Sequence, residues 1–256
     1  MMPHARYPDL SGRSVFITGG GSGIGAALTD GFLAEGAHVA FVQRRDATAF
    51  ADEMEARHGR RPLFIPCDIA DTAALEAAMD RAAEAHGPVT VLVNNAANDQ
   101  RHRTEDVDPE TWERLMGVNL RAYFFACRKA VAMMKDAGGG TIVNFSSISY
   151  MMGNAGYPVY VTANAGITGM TRALAREFGP DNIRVNALAP GWVLTEKQIE
   201  MWATPEDLAA HMDRQCLKRH LSPDDMVDPV LFLASAASTM MTGQCMVVDG
   251  GVVVTG

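Results

Sequence analysis

The chain has 256 residues, with 22 Lys and Arg against 30 Asp and Glu, a formal net charge of −8. With 48% apolar and 20% charged residues it can build a core without disulfides or a structural metal, which excludes global disorder. The acidic balance, relieved only by the pairs Arg44-Arg45 and Arg60-Arg61, argues against a nucleic-acid surface or a polybasic membrane anchor.

In chain order, short β-rich runs alternate with longer helical patterns. Strands are predicted over 14–18, 38–42, 62–67, 89–94, 141–145, 184–189 and 246–249, and helices over 24–35, 47–58, 73–86, 109–135, 157–178 and 223–234. Most strand runs are continuously apolar, as burial on both faces requires. The expected fold class is therefore α/β, a doubly wound parallel sheet of about seven strands with helices on both faces. Asp108-Pro109, Thr204-Pro205 and Ser222-Pro223 each place a cap acceptor before a first-turn proline and mark helix entries. Nothing resembles a linker, so residues 1–256 are expected to form a single domain. Within it, 192–221 holds many polar and bulky side chains and is expected to be a substrate-covering insertion.

The cysteines Cys67, Cys127, Cys216 and Cys245 lack metal-ligand spacing, so no metal site is expected and they read as thiols of a reducing compartment. No apolar leader precedes the first strand, and no run approaches the roughly 18 apolar residues of a membrane span. A cytoplasmic protein without membrane or nucleic-acid partners is expected.

Residues 15–18 run straight into Gly19-Gly20-Gly21-Ser22-Gly23-Ile24-Gly25 and then into an apolar helix. Strand, glycine turn and helix start in that order make a phosphate cradle, because glycines admit a pyrophosphate close to exposed N–H groups at the helix dipole. Roughly 20 residues beyond such a loop, an acid at the second strand tip would bind the ribose 2′-OH of NAD. Here the tip reads Val42-Gln43-Arg44-Arg45, with no carboxylate until Asp46. The guanidinium of Arg44 suits the 2′-phosphate of NADP, so NADP is the expected cofactor and NAD the alternative.

These features, with Cys67-Asp68-Ile69, Asn94-Asn95-Ala96, Asn119, Ser147, Tyr160, Pro190-Gly191 and Thr195 in that order, resemble the short-chain dehydrogenase/reductase family over almost the whole chain. The resemblance implies a Rossmann-type fold in which Asp68 and Ile69 hold adenine, Asn95 lines the cofactor, and Val193 and Thr195 hold the nicotinamide carboxamide. It implies that Ser147 orients the substrate oxygen, that Tyr160 exchanges the proton, and that Asn119 supports a water-mediated proton path. The segments 98–102, 148–149, 169–176 and 215–219 look most like bacterial sugar dehydrogenases, which oxidise aldoses to lactones or act on related sugar acids. A polyol needs many directional partners, which Asn98, Asp99, Arg101, His102, Asn154 and Trp192 could supply along with Ser147 and Tyr160. The family also suggests a homotetramer.

One position breaks the pattern. The family has lysine four residues after the tyrosine, where this chain has Asn164. The lysine lowers the tyrosine pKa and hydrogen-bonds the nicotinamide ribose, and asparagine can attempt only the second. An unperturbed tyrosine, with a pKa of about 10, is phenolate in only about one molecule in a thousand at pH 7. Loss of the cation is therefore expected to cost on the order of 10²-fold in oxidation. Asn164 reads either as an introduced change that slows turnover or as drift, with Ala97 in place of the family's glycine leaning toward drift. A sugar dehydrogenase of reduced activity is the leading expectation. A catalytically idle nucleotide-binding protein and a dehydrogenase for non-sugar alcohols are the alternatives.

Overall fold

The computed structural model describes residues 5–254. Among them run the strands β1 (Ser14–Thr18), β2 (His38–Gln43), β3 (Leu63–Pro66), β4 (Val91–Asn94), β5 (Gly140–Phe145), β6 (Ile183–Pro190) and β7 (Cys245–Val248). All pair in parallel in one sheet of order β3-β2-β1-β4-β5-β6-β7. Each predicted strand is present, with ends shifted by up to two residues.

The helices are α1 (Gly23–Ala34), α2 (Thr48–His58), α3 (Thr72–His86), α4 (Pro109–Met116), α5 (Ala122–Asp136), α6 (Ser149–Met152), α7 (Pro158–Phe178), α8 (Glu196–Met201), α9 (Pro205–Arg214) and α10 (Val227–Ala234). Side-chain caps set several entries: Asp71 accepts from Ala74 N, Asp108 from Thr111 N and Thr204 from Asp207 N.

Successive strand residues point to opposite faces, and the sequence supplies apolar side chains for both. On one face Val15, Ile17, Val39, Phe41, Val91 and Val93 pack with Leu28 and Phe32 of α1 and Leu231 of α10. On the other, Phe16, Ala40, Val42 and Leu92 pack with Met79 of α3 and Ala126 of α5. Burial of each large side chain stabilises the sheet by about 1.5–3 kcal/mol. Phe41 also stacks on Phe64 at 5.3 Å, which fixes the outer strands.

The chain winds outward through β2 and β3 and then returns to the other side of β1, so the winding direction reverses between β1 and β4. There Thr18 and Asn94 lie side by side at the strand ends. A crevice beyond the carboxyl ends at such a reversal is where doubly wound sheets take ligands.

One expectation is corrected. The helix predicted over 109–135 is two helices, α4 and α5, separated by a π turn at Gly117–Arg121. The widened turn carries Asn119, whose side chain is committed to the backbone of residue 98, and the apolar pattern continues through it, so periodicity alone reads one helix. Residues 192–221 contain two helices, α8 and α9, where the sequence marked only the entry at Thr204.

Candidate active site

The loop between β1 and α1 is shaped for close approach to backbone. A Cβ on Gly25 would lie 1.8 Å from the carbonyl oxygen of Gly19, so no other residue fits there, and Gly19 itself has φ +72°. Asn95, directly after β4, holds the loop: its Nδ2 donates to the carbonyls of Thr18 at 3.0 Å and Gly19 at 3.2 Å. The Thr18 hydroxyl in turn accepts from the N–H groups of Asn95 and Ala96. Gly21 N donates to Gln43 Oε1 at 3.1 Å, which ties the loop to the tip of β2. Ser22 and Gly23 are exposed at the start of α1, where first-turn N–H groups favour an anion.

At the outer end of the strand-tip row, Arg44 is exposed, with Nη1 3.8 Å from Asp68 Oδ2. The other Asp68 oxygen accepts from Ala70 N, while Ile69 is buried in the core. Asp46 is engaged by Thr48 N and Oγ1, so the acid nearest the tip closes the start of α2.

Beyond the ends of β4, β5 and β6 lies a cavity of about 520 Å³. It brings together Ile24, Asn95, Asn119, Ser147, Tyr160, Asn164, Val193 and Thr195, and the expected substrate residues Arg101, Asn154 and Trp192. Ser147 follows β5, and Tyr160 lies in the first turn of α7. Asn119 is buried, accepts from Asn98 N at 2.7 Å and donates to Asn98 O at 2.9 Å. Arg44, Asp68, Ile69, Gly19, Gly21, Ser22, Gly23 and Gly25 do not line this cavity. Asn98 does not line it either: its side chain accepts from Gln100 N in a local turn, and its backbone braces Asn119.

The cavity sets the acidity of the tyrosine. Burial, then the negative charge of Asp99, push the Tyr160 phenol up to about 12, against the opposing hydrogen bonding of Ser147 and Asn164. The Asn164 amide also donates, through Nδ2, to the backbone carbonyl of Tyr160 at 2.8 Å. Its backbone carbonyl accepts from Ser146 Oγ and Thr168 Oγ1. Tyr157 stacks on Tyr160 at 5.4 Å, with the Arg101 guanidinium 3.7 Å from the Tyr157 ring centre and Asn154 donating to the Tyr157 hydroxyl.

Residues of α8 and α9 form one wall. Lys197 Nζ and Gln198 Nε2 donate to the two oxygens of Asp99 at 2.6 and 2.7 Å, and Trp192 Nε1 donates to Gln198 Oε1 at 2.9 Å. Burial works to raise the Asp99 pKa, but the Lys197 and Gln198 contacts outweigh it and hold the carboxyl below its ordinary range. Tyr157, Ser149, Gln198, Trp202, His211 and Arg214 line the cavity and were not singled out in the sequence as site residues. The signal that could have found the last four was their position inside the segment marked as a cover.

The family model described as "Enoyl-(Acyl carrier protein) reductase" matches residues 19–253. The chain belongs to the short-chain dehydrogenase/reductase family. Among curated relatives it is 49% identical to the "Probable galactose dehydrogenase GalD" of Rhizobium meliloti (strain 1021), over 98% of this chain and 99% of that one. It is 47% identical to the D-xylose 1-dehydrogenase of Caulobacter vibrioides, again over 98% and 99%. A solved relative, the blue fluorescent protein from a metagenomic library in complex with NADPH, superposes with a TM-score of 0.88 at 35% identity, over 96% of this chain and 100% of that one.

In this short-chain dehydrogenase/reductase the Asn164 amide is bonded within its own helix, to the backbone carbonyl of Tyr160. The loop fits a dinucleotide on the chain's own geometry. It has no room for a side chain at Gly25, a Cβ at Gly23 would meet the Thr195 methyl at 3.0 Å, and exposed Arg44 stands at the tip of β2. Among the described residues no group of three His, Cys, Asp or Glu side chains could hold a metal ion, and no helix is long and apolar enough to cross a membrane.

Proposed function

We propose that the protein is an aldose dehydrogenase, oxidising a sugar or related sugar acid at a C–OH carbon, an aldose to its lactone, with NADP as cofactor and NAD as the alternative. The observation that carries this reading is the meeting of Tyr160, Ser147 and Asn119 with Ile24, Asn95 and Thr195 in one cavity at the sheet's reversal. The names of the galactose and xylose dehydrogenase relatives and the NADPH of the solved relative support it.

In this proposal Gly19, Gly21, Ser22, Gly23, Ile24 and Gly25 hold the pyrophosphate, and Asp68 and Ile69 lie toward the adenine. Arg44 reads the 2′-phosphate, while Asn95, Val193 and Thr195 bound the nicotinamide. When bound, the dinucleotide supplies the hydride acceptor. Ser147 Oγ holds the substrate oxygen, and Tyr160 Oη takes the proton from the reacting hydroxyl as the C–H bond is lost. Asn119 acts by position, fixing residue 98 and the nearby loop for a water-mediated proton path. Residues 192–221 cover the substrate, with Arg101, Asn154 and Trp192 placed to contact it. With the phenol near 12, only about one molecule in 10⁵ is ionised at pH 7, so oxidation is slow near neutrality.

The bonding of Asn164 favours one second reading, a nucleotide-binding protein that turns over no substrate. Absorbance at the reduced-nicotinamide band, with a panel of aldoses, sugar acids and apolar alcohols and each coenzyme, separates the readings. Aldose-dependent reduction of NADP is expected. Coenzyme binding without turnover on any sugar would favour the second reading, and turnover of apolar alcohols alone would indicate a non-sugar dehydrogenase. The homotetramer and cytoplasmic residence belong to the same proposal; light scattering at four protomer masses tests the first, and fractionation the second.

A further inference from the structure

Two buried polar atoms on the wall formed by α8 and α9, Trp202 Nε1 and His211 Nε2, have no hydrogen-bond partner among the described residues. A third, Ser149 Oγ, lies at the start of α6. All three residues line the cavity. Buried polar groups are nearly always paired, and each one left unmade costs stability, so three around one cavity point to partners that arrive with a ligand. Other buried groups of the cavity, such as Asn119, have protein partners and do not share this property.

The framework around these atoms is held. The Arg101 guanidinium lies between the rings of Tyr157 at 3.7 Å and Trp202 at 5.3 Å, linking the indole to the stack that ends on Tyr160. His211, 7% exposed, meets Trp192 edge to face at 5.5 Å, and Trp192 is tied through Gln198 to Asp99. Burial, with the nearby charges of Arg214 and His220, lowers the His211 pKa, so the ring is neutral at neutral pH and offers one acceptor or one donor. An indole N–H gives one donor. A donor and a neutral imidazole suit hydroxyl groups, which both give and accept, better than a carboxylate or a hydrocarbon.

We propose that Trp202 and His211 are specificity-determining residues that clamp the hydroxyl groups of an aldose away from its reacting carbon, with Ser149 as a further contact. This rests on the aldose reading above and adds to it which residues choose the sugar. The cavity of about 520 Å³ falls within the size range of small-molecule sites and leaves room for a monosaccharide beside Tyr160.

The test is Trp202→Phe, which removes the N–H together with the five-membered half of the indole and keeps one aromatic ring, with His211→Asn as an independent second variant. Each is assayed for KM, kcat and calorimetric aldose binding to the NADP-loaded protein, with D-galactose, D-xylose and their singly deoxygenated derivatives. Losing a buried partner of a substrate hydroxyl should raise KM and the aldose dissociation constant by about tenfold and change kcat by less than about twofold. For one deoxy derivative, variant and parent protein should bind equally, because the hydroxyl being read is already gone. Equal losses on every derivative, or no loss in either variant while the parent oxidises aldoses, would overturn the clamp alone. A parent protein that binds NADP but neither binds nor oxidises any aldose would overturn the clamp together with the aldose reading.

Discussion

Asn164 Nδ2 donates to the backbone carbonyl of Tyr160 across 2.8 Å, so the side chain one turn beyond the phenol is bound to the helix that carries it. It brings no positive charge to a hydroxyl that burial and Asp99 already hold up at about 12. Asn164→Lys places an ammonium on that face and should raise oxidation at pH 7 at least about tenfold, since a neighbouring cation lowers an acid's pKa by about 1–3 units. Steady-state rates of the two proteins at pH 7 check this; equal rates would mean that the proton leaves by a route other than Tyr160.

The phenol must be ionised to accept a proton. Its fraction ionised grows with pH up to about 12, so kcat for oxidation should rise by about one log unit per pH unit between about pH 7 and 10. Carbonyl reduction needs the protonated phenol, which persists over that interval, so its rate should stay flat. Paired pH profiles in the two directions make the comparison, and an oxidation plateau beginning near pH 8 would contradict the raised pKa.

Asp99 and its partners should move that profile in opposite senses. Asp99→Asn removes the negative charge that opposes ionisation of Tyr160, and the rising limb should shift to lower pH. Lys197→Ala leaves the carboxylate without its ammonium at 2.6 Å, and the limb should shift to higher pH. Both substitutions loosen the tie between the loop after β4 and α8, so KM should rise in both. Shifts of the same sign would show that the charge of Asp99 is not felt at the phenol.

Arg44 and Asp68 are both exposed and 3.8 Å apart, a pairing of little intrinsic strength that leaves the guanidinium accessible. Arg44→Ala should weaken NADP binding about tenfold and leave NAD within about twofold, because only the 2′-phosphate distinguishes the coenzymes. Calorimetric dissociation constants for both decide it; equal losses would assign Arg44 a structural role.

The strands and the glycine loop were legible in the sequence because each obeys a short-range rule. Continuous apolar runs such as 91–93 can be buried on both faces only inside a parallel sheet, and Gly25 tolerates no side chain beside Gly19. Less legible were features that depend on a distant partner. The π turn at Asn119 follows from a contact with the backbone of residue 98, 21 positions earlier. Trp202 and His211 come to the cavity on the segment that α8 ties to Asp99, a contact across 98 positions that local periodicity does not carry.

The most direct measurement compares Tyr160→Phe with the parent protein for NADP binding by calorimetry and for aldose-dependent NADPH formation. Loss of the phenolic oxygen alone should leave the dissociation constant within about threefold and reduce turnover by at least about 10²-fold. Undiminished turnover in Tyr160→Phe would contradict the assignment of proton transfer to this side chain, and with it the placement of the reaction in this cavity.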